Sequence, residues 1–329
     1  MHAEIIDPTA EAVPADWEIF RKQEGLIAAW QARALTAVAW CSTRPLYLGV
    51  VRQGGEVVGL FTGSVGGPPR LRRGYAEPGS MPPVGWFDCH LPVGFTGGFA
   101  FAADLSAADR AEATAAFEKA VRRSLGRRCL GVLYRQVTAE TLPAFDRRFR
   151  PKITTAPNTL LRNRWADLDG YFADLPRDRR RRLRRIHAEA SERTRVLPGV
   201  GDIDAERASA LACATVRKHS PYAPPLPVRY FEALCGEEGV RYFGHLDGDR
   251  LLSFDLTFDD GRRLVTTVNG SLDVRDGGRR DLYFDLYLRE IDYMISHGRG
   301  GCEFGKGMAE LKQRFGCELV PQSLVIAAW

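Results

Sequence analysis

Side chains able to accept a proton from an amine are scattered over the second half of the chain. They are His219 ahead of Pro221, Asp255 in SFDLTF, Tyr283 and Asp285 at the start of an amphipathic run, and Glu303 in GCEFG. Held within hydrogen-bond reach of a reacting nitrogen, such groups do general-base work. A different chemistry is concentrated upstream. Nine arginines and three acids lie between Arg177 and Arg195, a local balance of +6, whereas the whole chain carries +5. The basic excess therefore sits in one segment and predicts a localised polyanion contact. A guanidinium forks two parallel hydrogen bonds onto a phosphate and keeps its charge. On a helix, Arg177, Arg181, Arg184 and Arg185 would share one side, with Arg180 close by, as a stripe able to follow a phosphodiester backbone. Tyr171 and Phe172 stand just ahead of this stripe, where core packing is the first expectation and base stacking the second.

Several chemistries lack their residues. The remaining histidines (His2, His90, His187, His245, His297) have no metal-ligand spacing, so no metal is assigned. Seven scattered cysteines without a C-x-x-C predict mostly buried thiols and neither a disulfide framework nor a zinc site. No G-x-S-x-G elbow supports a serine hydrolase, and no Walker or Rossmann loop is present.

The elements that must position these groups can be read from periodicity. Residues 17–40 space their apolar positions as one amphipathic helix, and the alternating segments around Gly54-Gly55 make a hairpin. A Gly- and Pro-dense loop over 66–98 contains a short strand near Trp86 to Leu91. Ser106 then caps a strong helix that closes at Gly126, and the buried strand CLGVLYRQV follows. Beyond Pro157 come a strand, a short acidic helical turn and the long basic helix. The second half then repeats the first half's order: a meander with turns at Asp247-Gly248 and Asp260-Gly261, a loop, the helix DLYFDLYLREIDYMISHG and the strand GCEFG. A short helix AELKQRFG and a strand pair over ELVPQSLVIAAW complete the pattern. At roughly 100–200 residues per domain, 329 residues predict two domains, placed at 1–155 and 156–329 with the basic helix at about 177–195. The absence of a long apolar run or a secretion signal predicts a cytoplasmic protein without a transmembrane segment.

Three stretches narrow the reading: YFADLPRDRRRRLRR, TVRKHSPYAPPLPVRYFEAL and YLREIDYMISHGRGGCEFGKGMAELKQRFG. Together with the order of elements they resemble the FemAB-like members of the GNAT acyltransferase superfamily. The resemblance covers most of residues 156–320, and the first half matches in element order alone. It implies an α/β (α+β) fold of two tandem GNAT-like domains, each a mixed twisted sheet flanked by helices. The implied activity is transfer of an aminoacyl group from aminoacyl-tRNA to the amine of a small molecule, such as a natural product, or of a peptidoglycan precursor. No tightly bound cofactor and no DNA partner are implied.

The same resemblance places Lys312, assisted by Lys306, where the domain opens after the F-G strand end, facing the donor's carbonyl or phosphate. Asp255 is the candidate proton acceptor, although the donor's own leaving oxygen could relay the proton instead. The arginine stripe would hold the tRNA, and Tyr222, Tyr283, His219 and Glu303 the acceptor. Two other readings stay open. One is an acyl-CoA donor, its phosphates bound by Arg275, Arg279 and Arg280; the other is a non-catalytic module binding RNA or an anionic cell-wall precursor. The superfamily's pyrophosphate loop reads Q/R-x-x-G-x-G/A, and Arg275-Asp276-Gly277-Gly278-Arg279-Arg280 loses that spacing, which counts against coenzyme A here.

Overall fold

The structure is a computed structural model and describes residues 1–66, 76–79, 83–94, 96–146, 149–199, 203–219 and 225–329. The chain divides into two compact units: residues 1–157 together with 320–329, and residues 158–319. The last ten residues, counted with the second half in the sequence reading, thus group with the first unit.

In the first unit the strands are β1 (His2–Ile6), β2 (Leu46–Gln53), β3 (Glu56–Gly66), β4 (Gly85–Cys89), β5 (Phe99–Phe101) and β6 (Cys129–Val137). They lie in the order β1-β2-β3-β4-β6, with β5 on β3 and the last strand of the chain, β13 (Glu318–Ala328), on the far side of β6. The β2–β3 hairpin turns at Gly54 and Gly55, whose φ angles of 60° and 98° are open to glycine at no steric cost. Strand β4 is parallel to β6, and the helix α3 (Ala107–Leu125) makes the crossover. Ser106 caps α3 by accepting from the Asp109 N–H at 3.1 Å, as its sequence predicts. Phe117 of α3 stacks on Phe61 at 4.0 Å between ring centres and meets Phe87 edge-on, which fixes the helix on the sheet.

Two expectations fail for identifiable reasons. Residues 17–40 form two helices, α1 (Ala15–Gln23) and α2 (Ala32–Trp40), because Gly25 adopts φ 61° and ends the first. The strand pair expected over ELVPQSLVIAAW is the single strand β13, which runs through Pro321.

The second unit contains β7 (Lys152–Arg162) from Asn158 onward, α4 (Leu168–Asp174), α5 (Arg177–Arg193), β8 (Arg195–Pro198), α6 (Ala205–His219) and α7 (Val228–Leu234). It continues with β9 (Val240–Asp247), β10 (Arg250–Asp259), β11 (Leu264–Ser271), α8 (Leu282–Ser296), β12 (Gly301–Gly305) and α9 (Ala309–Arg314). Its strands run β12-β11-β10-β9-β8, and β12 also pairs antiparallel with residues 159–162 of β7. The meander β9–β11, the crossover α8 and the parallel strand β12 repeat the arrangement of β2–β4, α3 and β6, so the repetition read from the sequence exists in topology. Leu183, Ile186 and Ala190 form the one buried stripe of α5 and leave most of its arginines at the surface. Among the described residues no helix is long and apolar enough to cross a membrane, and no cluster of side chains suits a metal ion. All seven cysteines are free thiols, four of them buried.

Candidate active site

The parallel strands β11 and β12 touch at two residue pairs only, Leu264 with Cys302 and Val265 with Glu303. Beyond them β11 stays on β10, while β12 turns its other edge to β7. Into this parting reaches Lys312 from α9. Its side chain is 3% exposed, and its ammonium donates to the carbonyl of Phe304 and, at 3.3 Å, to that of Gly305. Burial pulls the Lys312 ammonium down to about 8.

Two carboxyl groups are buried close to Lys312. Asp255, on β10, is 1% exposed; its Oδ1 accepts from Asn269 on β11 at 2.5 Å, and burial pushes it up to about 7. Glu290, on α8, is fully buried and accepts from Thr257 at 2.6 Å and from Thr266 at 2.7 Å. Burial first, and the neighbouring Asp255 charge second, hold its proton far above the usual carboxylate range. Tyr283 and Tyr287 close the wall with a hydroxyl–hydroxyl contact, and burial raises both phenols. Tyr283, Tyr287 and Glu290 stand at i, i+4 and i+7, on one face of α8.

Sequence reasoning therefore brings Lys312, Asp255 and Tyr283 to one place and misses Glu290, Asn269 and the two threonines. The missed signal was an acid standing among apolar residues on the buried stripe of α8.

Other candidates lie elsewhere. Lys306 is half-buried just after β12. Glu303 alternates with Cys302 and Phe304 along β12, so it faces away from Glu290, which Cys302 contacts; there it pairs with Arg263 and accepts from Asn158 at 2.9 Å. Tyr222 and the His219 side chain lie outside the described residues. Asp285 cannot serve as a free base. It is fully buried, bound to His187 at 2.6 Å, to His245 at 2.7 Å and to Arg289 at 3.0 Å. Although burial alone would raise it, these partners together hold its carboxyl well below the usual range. Ser253 contacts His245 at 3.0 Å; Ser253, His245 and Asp285 are all fully buried, and their chain of bonds reaches the surface through His187 and Arg289.

The arginine helix forms as its sequence predicts. Arg181, Arg184 and Arg185 are exposed; Arg181 and Arg185 pair loosely with Asp178 and Glu189 at 3.5 and 3.7 Å, while Arg184 bonds Asp169 at 2.7 Å. Exposed pairs of this kind contribute little and yield readily to a phosphate. Arg177 and Arg180 have no acid partner among the described residues. Arg179 donates to the Arg314 carbonyl at 2.6 Å, and Tyr171 donates to the Phe315 carbonyl at 3.1 Å, so the basic segment packs on the end of the helix that carries Lys312. Tyr171 and Phe172 are buried, which leaves them to the core and removes base stacking.

The loop ahead of α8 is less suited to phosphate. Arg279 is tied to Asp247 at 3.0 Å, Arg275 lies near Asp273 and Asp276, and Arg280 is exposed. Asp281 occupies the N-cap of α8, placing a negative charge where the helix would otherwise attract an anion.

No family description matches the sequence, and no curated protein does. Solved structures do match in shape. The structure of L-PGS from Bacillus licheniformis aligns with a TM-score of 0.59 at 9% identity, over 97% of this chain and 93% of the other. The C-terminal domain (DUF2156) of a putative lysylphosphatidylglycerol synthetase from Agrobacterium fabrum gives 0.54 at 9% identity, over 89% and 87%. FemX gives 0.51 at 11% identity, over 87% and 90%. The chain shares the overall fold of these solved structures.

Proposed function

We propose that this protein is an N-acyltransferase that moves an aminoacyl group from aminoacyl-tRNA to the amine of a small-molecule or peptidoglycan-precursor acceptor. The observation that supports this most is the hydrogen bond from Arg179 of the arginine helix α5 to the Arg314 carbonyl of α9, the helix that also carries the buried Lys312. In the reaction the acceptor nitrogen attacks the ester carbonyl, the C–N bond forms and the acyl C–O bond breaks. The amine proton passes to the departing ribose oxygen, so no separate base is required. Lys312 stabilises the negative charge that grows on the carbonyl oxygen, Lys306 adds to the local positive field, and Asp255 supplies the balancing carboxylate. The arginines at 177, 181, 184 and 185 hold the tRNA backbone.

The test is incubation with candidate amines and either a charged tRNA pool or acyl-CoAs, with and without ribonuclease. Amide formation abolished by ribonuclease is expected. Product that survives ribonuclease and needs coenzyme A would replace tRNA by an acyl-CoA donor, and no product with either would leave a binding module.

Two further outcomes follow from the charges. Asp255 must be ionised and Lys312 protonated, so kcat/KM should rise through about 7 and fall through about 8. A pH profile flat across both values would separate these groups from the chemistry. Neutralising Arg181, Arg184 and Arg185 together should flatten the slope of log affinity for tRNA against log salt by up to about 0.7 per lost contact. An unchanged slope would return them to a merely solvated face.

A further inference from the structure

A groove of about 530 Å³ opens in the second unit between α4, α5 and α8, and His187 of α5 is part of its lining. His187 ends the bonded chain that runs from Ser253 through His245 and Asp285. Its Nδ1 meets Asp285 at 2.6 Å, and because the partners of Asp285 keep that carboxyl ionised, Nδ1 donates and Asp285 accepts. The bond at Nδ1 fixes the tautomer of the neutral ring, so Nε2, across the ring, is an acceptor. It has no partner among the described residues, and the side chain is 24% exposed. The other polar groups of the groove are largely in use. Arg184 bonds Asp169 at 2.7 Å and lies over the Phe172 ring, and Asp167 accepts from the Gly170 N–H at 2.7 Å. The lining groups left unengaged among the described residues are Nε2 of His187 and the exposed carboxylate of Asp292, both of them acceptors.

We infer that this groove binds a small molecule through a primary ammonium group, which donates to His187 Nε2 and is balanced by the carboxylates of the lining. The site is independent of the transfer reading and separate from Lys312. On α8, Asp285 and Asp292 share one side, and Tyr283, Tyr287 and Glu290 lie roughly 180° round the helix. With His187 neutral, three acids stand against one arginine in the lining, amid a surface that is otherwise basic. An anion drawn to the arginine stripe is therefore disfavoured here, whereas an ammonium brings both the charge and the protons that the groove lacks. Leu168, Phe172 and Ala188 supply apolar surface for its carbon skeleton. Around the ring stand Asp167 and Asp169 at α4, Arg184 of α5, and Asp285, Arg289 and Asp292 of α8, with His245 of β9 behind Asp285. A proton on Nε2 would remove the acceptor and put a like charge in its place, so affinity falls as the ring takes up its second proton.

Heteronuclear NMR of the full chain, labelled at the histidine ring nitrogens, tests this with butylamine, phenethylamine and ethanolamine, each beside the alcohol that replaces its amine by a hydroxyl. At least one amine should shift the His187 Nε2 signal saturably, and the matching alcohol should bind at least about tenfold more weakly. In acid, affinity should fall in step with the second protonation of the His187 ring seen in the same spectra. His187→Asn keeps a donor for Asp285 and deletes Nε2; the same amine, followed by its own signals, should bind this variant at least about tenfold more weakly. No shift with any of the three amines, an alcohol that binds as well, or an affinity that ignores the ring's protonation would overturn the inference. So would unchanged affinity in His187→Asn, or inorganic phosphate shifting the signal where the amines do not. The amine and alcohol comparison and the acid series use the unaltered protein, so they decide the matter even where the variant fails to fold.

Discussion

Lys312→Ala should lower kcat by about 10²- to 10³-fold while the protein still folds. An ammonium has three protons to donate. In Lys312 two are directed at the carbonyls of Phe304 and Gly305, which fix the nitrogen where β11 and β12 part. The third is left for the oxygen that becomes negative as the amine adds. A cation held in this way in a dry site need not reorganise when the charge appears, which is why its loss weighs more on the transition state than on the substrate. The deletion also strips two carbonyls of a donor, at a stability cost of about 1–3 kcal/mol. Steady-state kinetics alongside thermal melting separates the two effects, and Lys312→Met, which fills the volume without charge, should show the same loss of kcat. Turnover near normal in either variant would remove Lys312 from the reaction.

Asp285→Ala should cost about 3–5 kcal/mol of folding stability, because it strands buried partners that the carboxylate now satisfies. His187 on α5, His245 on β9 and Arg289 on α8 all converge on this one side chain. Removing it would loosen the helix pair from the sheet as well as delete a charge. Since the folded state holds Asp285 below the usual carboxylate range, its contribution is fully present above that range and is lost as the pH falls below it. The melting difference between the unaltered protein and Asp285→Asn should therefore be large near neutrality and shrink in acid. A difference independent of pH would mean the carboxylate is not the stabilising group.

The order of elements was legible because the hydrophobic period changes from alternating to helical at clear boundaries such as Ser106, Gly126 and Gly298. Local conformational events were less so. Gly25 lies within an unbroken helical pattern, and only its positive φ shows that the chain turns there. Pro321 reads as a break, yet β13 passes through it. For the site, spacing and resemblance led to Lys312 and Asp255, whose neighbourhood is set by strands distant in sequence. Glu290 was hidden because a helical stripe of Tyr, Leu, Ile and Met signals packing, and a single acid within it looks like an exception until α8 is laid on β10 and β11. Asp285 suffered the opposite error: it looked reactive in the sequence, but three partners already occupy it.

One feature of the connectivity bears on how the molecule is made. Strand β6 pairs with β4 on one edge and on the other with residues 323–328, which lie far along the sequence. During synthesis that edge waits, unpaired and rich in Val and Leu, until nearly two hundred later residues have left the ribosome. The nascent chain therefore passes through a stage in which its earliest sheet can recruit a stranger's backbone, and shielding by a chaperone would matter most in that interval.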